Sequence, residues 1–162
     1  MSLNEEPVRY MERTRAYYRA LGYTRDYVWA THDEVPFARL TRPLREARIG
    51  LVTSARPADG SNLDAQGVRH AWSGAVDPLP TSLSTDNLAW DRESTHTEDR
   101  ESYLPIAAVT ALAREGLIGG ITARFHGVPT EYSQRKTIDV DAPAILAGLR
   151  EDGADAALLS AL

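Results

Sequence analysis

The chain contains no cysteine. That excludes disulfides, thiolate metal sites and a thiol nucleophile within its 162 residues. Lysine is almost missing too: Lys136 stands alone against seventeen arginines, a bias we read as the coding habit of a GC-rich genome. Clustered cations are scarce. With a formal net charge of -5 and a pI near 5.4 the chain is a poor match for a nucleic-acid backbone, which needs concentrated positive charge. It has no apolar run of about eighteen residues, so no membrane span is expected. The opening MSLNEEPVRY lacks the apolar centre of a secretion signal, and a cytoplasmic setting is expected. Gly-x-Ser-x-Gly and His-Glu-x-x-His motifs are absent, as are internal repeats and low-complexity segments.

What is present suffices for one compact domain, since 43% of the residues are hydrophobic. Residues 7–21 read as a helix, with Pro7 in the first turn and Gly22 as its stop. ARIGLVTSA (47–55) is a short apolar run with β-branched residues and reads as a buried strand. Residues 56–86, rich in Pro, Gly, Ser, Asp and Asn, read as a long loop, within which Arg69–Trp72 can pair as a strand. Leu88–Trp90 is a second short strand candidate. Residues 105–115 and 141–152 have helical patterning. Asp139 or Asp141 is expected to cap the second of these helices, and Gly153 to end it. Ile118–Phe125 reads as a strand weakened by Gly119 and Gly120. DAALLSAL (155–162) reads as a closing buried strand. Helices alternating with short apolar strands predict an α/β domain over 1–162, mostly parallel, flavodoxin-like or Rossmann-like, with an aromatic arm at 1–30. The sheet looks incomplete at its C-terminal end.

Three constellations can carry chemistry. DRESTHTEDRES (91–102) sets Asp91, Glu93, Glu98, Asp99 and Glu101 around His96, five carboxylates and one imidazole within eleven residues. Such a set can move protons or hold a divalent metal, and it can equally be a solvated loop capping the next helix. ARFHGVPTEYSQRK (123–136) holds Arg124, His126, Glu131, Tyr132 and Arg135. An arginine there can grip a carboxylate, and His126 can act as acid, base or ligand, or serve only the turn. The Ser54–Arg56 corner offers backbone amides to an anion. His32, Asp33 and Glu34 read as a surface turn and His70 as packing beside Trp72. The tyrosines at 10, 17, 18, 23 and 27, with Trp29, suit a cation or an aromatic cluster.

Four stretches taken together, VRYMERTRAYYRALGY (8–23), ARIGLVTSA (47–55), WDRESTHTEDRESYLP (90–105) and RFHGVPTEYSQRKT with the segment running to DGADAALLSAL (124–162), resemble the glycine/sarcosine/betaine reductase selenoprotein B family, which includes the D-proline reductase subunit. The resemblance spans nearly the whole chain and covers the amino-terminal part of that family. It implies an oxidoreductase that cleaves a C–N bond in a small amino-acid-derived substrate. It places His96, with Asp99 and Glu101, in the family's His-centred acidic segment. It also implies a Cys-x-x-Cys segment, with selenocysteine at one position in the reductases, directly after a strand like ALLSAL. That motif is missing here. Selenocysteine is expected beyond Leu162 if a UGA codon was read as a stop; the competing expectation is a short protein that acts as a partner subunit or has different chemistry.

His96, Glu93, Asp99 and His126 are therefore catalytic candidates. Arg124, Glu131, Tyr132 and Arg135 are substrate-binding candidates. His96, Asp91, Glu101 and His126 are candidates for a divalent metal. Alternatives are a metal-dependent lyase or hydrolase, or a non-catalytic partner subunit. A homo-oligomer or reductase complex is the expected assembly, with no nucleic acid and no membrane.

Overall fold

The computed structural model describes residues 9–80, 83–84, 98–131 and 133–160. The chain divides into two compact units, Met1–Phe37 and Ala38–Leu162. The aromatic arm expected at 1–30 falls within the first of these units. In it, helix α1 (Tyr10–Ala20) buries none of its residues. Tyr17 and Tyr18 meet edge to face with ring centres 5.5 Å apart, as do Tyr18 and Tyr23. Arg15 lies 5.0 Å from the centre of the Trp29 ring, so an arginine of the arm itself occupies an aromatic face that the sequence offered to a cation.

The second unit is α/β, as its alternating pattern predicted. Its central strand β1 (Arg48–Thr53) is followed by β2 (Arg56–Pro57), β3 (Trp72–Ala75) and β4 (Leu83–Ser84). Then come helix α2 (Ile106–Arg114), β5 (Gly120–Ile121) and β6 (Arg124–Gly127). A three-residue helix α3 (Gln134–Lys136) leads through a π-helical turn (Thr137–Asp141) into α4 (Ala142–Glu151), and β7 (Ala156–Ser160) comes last.

Strand β1 pairs in parallel with β7 on one side and with β5 and then β6 on the other. Strand β3 adds antiparallel to β6. Strands β2 and β4 form a separate two-stranded sheet. The parallel strands therefore stand in the order second, first, third along the chain.

Side-chain parity in β1 sorts the core. Ile49 and Leu51 face a cluster containing Phe125, Leu104, Ile106 and Val109 of the α2 side, and Val52 faces Ile145 and Leu149 of α4. Leu51 and Phe125 are buried to 1% and 0% exposure, and each contributes about 1.5–3 kcal/mol by leaving water. Helix α4 lies so close to β1 that a Cβ on Gly50 would land on the Leu149 side chain, with Ala154 Cβ at 3.3 Å. Gly119 has a similar reason. A Cβ there would run into the Glu46–Ala47 backbone, while its amide donates to Ala47 O at 2.9 Å. The residue that weakened the strand signal is thus required by a close approach.

Three sequence expectations need correction. The 56–86 region is not simply a loop: it carries β3, which begins at Trp72, as well as β2 and β4. The helix expected at 141–152 is present as α4, and α3 and the π turn precede it. Asp141 makes no side-chain cap and lies inside that continuous helical run. Finally, β7 is a strand but not a buried one. Among the described residues it pairs with β1 alone, and Leu158 and Leu159 are 42% and 71% exposed. Its two-sided apolar sequence suits a strand covered on both faces, whereas α2 and α4 leave it open. Leu88–Trp90 lies outside the described residues.

Candidate functional site

Strand β6 brings Arg124 and His126 to the face under α4, because alternate residues of a strand share a face. At the C-terminal end of α4, Glu151 and Asp152 meet them. His126 Nε2 lies 3.0 Å from Asp152 Oδ2, and both side chains are buried, at 5% and 9% exposure. Arg124 Nε donates to Asp152 Oδ1 at 2.8 Å, and its Nη2 to Glu151 Oε2 at 2.8 Å. Burial alone would raise the Asp152 carboxyl, but hydrogen bonds from Arg124 and His126, with their charge, outweigh it and hold the group below the ordinary carboxylate value. The two carboxylates raise the Arg124 guanidinium, chiefly through the Asp152 hydrogen bond. With Asp152 ionised and acceptor-only, the N–H of this contact belongs to His126 Nε2, which donates to Asp152 Oδ2.

A groove of about 530 Å³ opens over this cluster. Ser73, the cross-strand neighbour of His126, forms one wall, and Ala144, Ala147 and Gly148 of α4 form the other. Small side chains make the hollow. A Cβ on Gly148 would land on His126 Cε1, with Nδ1 and Nε2 at 3.1 and 3.3 Å. The arrangement fixes the orientation of an imidazole beneath the groove.

The remaining expected residues divide into those placed elsewhere and those outside the described residues. Asp99 accepts from the Glu101 amide at 3.0 Å. Glu101 Oε2 accepts from the amides of Ala107 and Ala108 at 2.9 and 3.3 Å, in the first turn of α2. These carboxylates cap helical turns, where the N–H groups lack intrahelical partners. Glu131 pairs with Lys136 at 2.9 Å, and Lys136 also donates to Arg69 O. Arg135 is exposed. His32, Asp33 and Glu34 are exposed as well, and His70 binds Asp64 at 3.0 Å. Asp91, Glu93, His96 and Tyr132 lie outside the described residues. Among the described residues no group of three or more His, Asp or Glu could hold a metal.

Arg124 and His126 were singled out by sequence; their partners were not. The available signal was Glu151 and Asp152 together at a helix C-terminus, where the dipole disfavours anions and a cation is needed nearby.

A second contact lies at the carboxyl end of β1, where Thr53 faces Ser160, one position beyond the Val52–His126 pair. Ser160 Oγ, at the tip of β7, donates to Ser102 O at 3.4 Å. No family model, curated protein or solved structure matches the chain. Among the described residues no helix is long and apolar enough to cross a membrane.

Proposed function

We propose that this chain is a reductase-like enzyme or subunit of the selenoprotein B type, acting on a small amino-acid-derived substrate. Its redox thiol or selenol would have to come from outside these 162 Cys-free residues. The supporting observation is the contact between Ser102 and Ser160. It joins the end of the acidic stretch to the tip of β7, two of the segments that carry the resemblance. Their meeting point lies at the carboxyl ends of parallel strands, where open α/β sheets bind ligands. A flavodoxin-like arrangement agrees with the strand order second, first, third. In this reading a soft nucleophile supplied at that rim would take part in reductive C–N cleavage, and the chain would bind and orient the substrate.

Calorimetric titration with glycine, sarcosine, betaine and D-proline tests the proposal. Saturable binding of at least one is expected, with no dithiothreitol-dependent turnover by the chain alone. Absence of binding to all four, or turnover without an added thiol protein, would overturn it.

A second reading, a lyase or hydrolase working by proton transfer, draws on the His126–Asp152 pair beneath its groove. In that case a His126→Gln variant would lose activity on a substrate that needs no reductant. The exposed leucines of β7 favour assembly into a homo-oligomer or larger complex. Light scattering that gives a monomer at all concentrations would refute this.

A further inference from the structure

Asp141 is 0% exposed, and neither of its carboxylate oxygens has a hydrogen-bond partner. Other acids of the same unit are treated differently: Asp152, Glu101 and Glu131 each hold a cation or backbone amides. A buried carboxylate without partners weakens the fold, and one retained there calls for a reason. A second irregularity coincides with it, because Asp141 is the last residue of the π-helical turn Thr137–Asp141. Such turns are rare and concentrate at functional positions.

Helix geometry places the group. Asp141, Ile145 and Gly148 follow the i, i+4, i+7 spacing of one helix face, and Ile145 is buried while Gly148 lies against His126. Seven helical residues rise roughly 10 Å, or about three strand residues. Asp141 therefore stands level with the chain just past the ends of β6 and β1, at the carboxyl rim. It lies on the α4 side of the same rim whose α2 side holds Ser102 and Ser160.

We infer that Asp141 receives the N–H of a protonated amine on the ligand. The inference rests on the proposed function and names the substrate group that this rim recognises. An ammonium supplies what both oxygens lack, namely positive charge and directed donors. A metal would need further ligands, and no group of three or more is present among the described residues. The carboxylate is covered in the free chain, so binding includes a local opening of the rim. A quaternary ammonium carries the charge but no N–H and fits poorly.

Glycine, sarcosine, N,N-dimethylglycine and betaine share one carboxylate and differ in N–H count. Titrating them into the wild-type chain and into Asp141→Asn, alongside thermal unfolding, tests the assignment. The first three should bind the wild type, with betaine weaker by about tenfold or more. Asp141→Asn should weaken the first three by a similar factor, leave betaine unchanged, and unfold at a higher temperature without ligand. Equal affinity for betaine, unchanged affinities in Asp141→Asn, or a lowered unfolding midpoint would overturn the inference. Failure of the reductase reading looks different: none of the four binds, yet methylammonium still raises the midpoint of the wild type and not of Asp141→Asn. If methylammonium also fails to do so, the assignment of Asp141 falls.

Discussion

Gly148 offers a sharp test of the groove. It lies inside α4 with ordinary helical backbone, so replacement by alanine should stabilise the helix by about 1 kcal/mol on propensity alone. The added methyl would instead fall on His126 Cε1, with both ring nitrogens within 3.3 Å. The imidazole is buried and tied to Asp152 at 3.0 Å, so it cannot simply swing away. Overpacking of this kind costs about 1–3 kcal/mol, and displacing the ring also weakens a charge-assisted hydrogen bond worth about 1.5–3 kcal/mol. The net expectation for Gly148→Ala is a loss of about 1–2 kcal/mol, or a fall in unfolding midpoint of about 3–8 °C for a domain of this size. In a His126→Ala background the obstacle is gone, and Gly148→Ala should then stabilise by about the propensity term. The double-mutant cycle should give a coupling of about 2–3 kcal/mol, read from thermal or urea unfolding of the four proteins. If Gly148→Ala stabilises the otherwise unaltered chain by about 1 kcal/mol, the close approach of helix and imidazole is refuted.

Two further predictions concern the acids. Glu101→Ala should cost about 0.5–2 kcal/mol through loss of the bonds to the Ala107 and Ala108 amides, while Glu101→Gln keeps an acceptor and should lose less. Equal losses in urea unfolding would argue against capping. Asp152 should confer acid-sensitive stability. Its folded value lies below the unfolded one of about 3.9. The stabilisation is therefore complete above about pH 4 and disappears as pH falls through the folded value. The difference in unfolding free energy between wild type and Asp152→Asn should be flat from neutral pH down to about 4 and shrink below it. A difference that stays constant into stronger acid would contradict the assignment.

The sequence revealed those parts of the fold that local chemistry dictates. ARIGLVTSA became the central strand because β-branched residues and two-sided apolarity are properties of the segment itself. Helix α4 ends where Gly153 adopts φ +72°. The edge position of β7 was not legible, since AALLS reads identically whether or not another layer covers it. The pairing of β3 with β6 joins residues about fifty positions apart, and Trp72–Ala75 has no periodicity long enough to announce it. At the site, His126 and Arg124 stood out by type. Asp152 did not, because its role depends on a helix end reaching the strand 26 residues earlier. Asp99 and Glu101 resemble ligands by composition, and their backbone partners became visible only once the turn before α2 was folded.

The junction between β5 and β6 shows how such a strand tolerates extra length. Arg48 faces Gly120, whereas Val52 faces His126, so the second strand carries two more residues than its neighbour over the same span. Two is the side-chain repeat of extended chain, and the surplus is absorbed around Thr122 and Ala123 without rotating the residues of β6. A single inserted residue at that point would turn the imidazole towards Phe125 and Leu51 and send an apolar neighbour out towards Asp152. Chain-length changes here should therefore be accepted in pairs, and odd ones should abolish the site while leaving the composition of the strand almost unchanged.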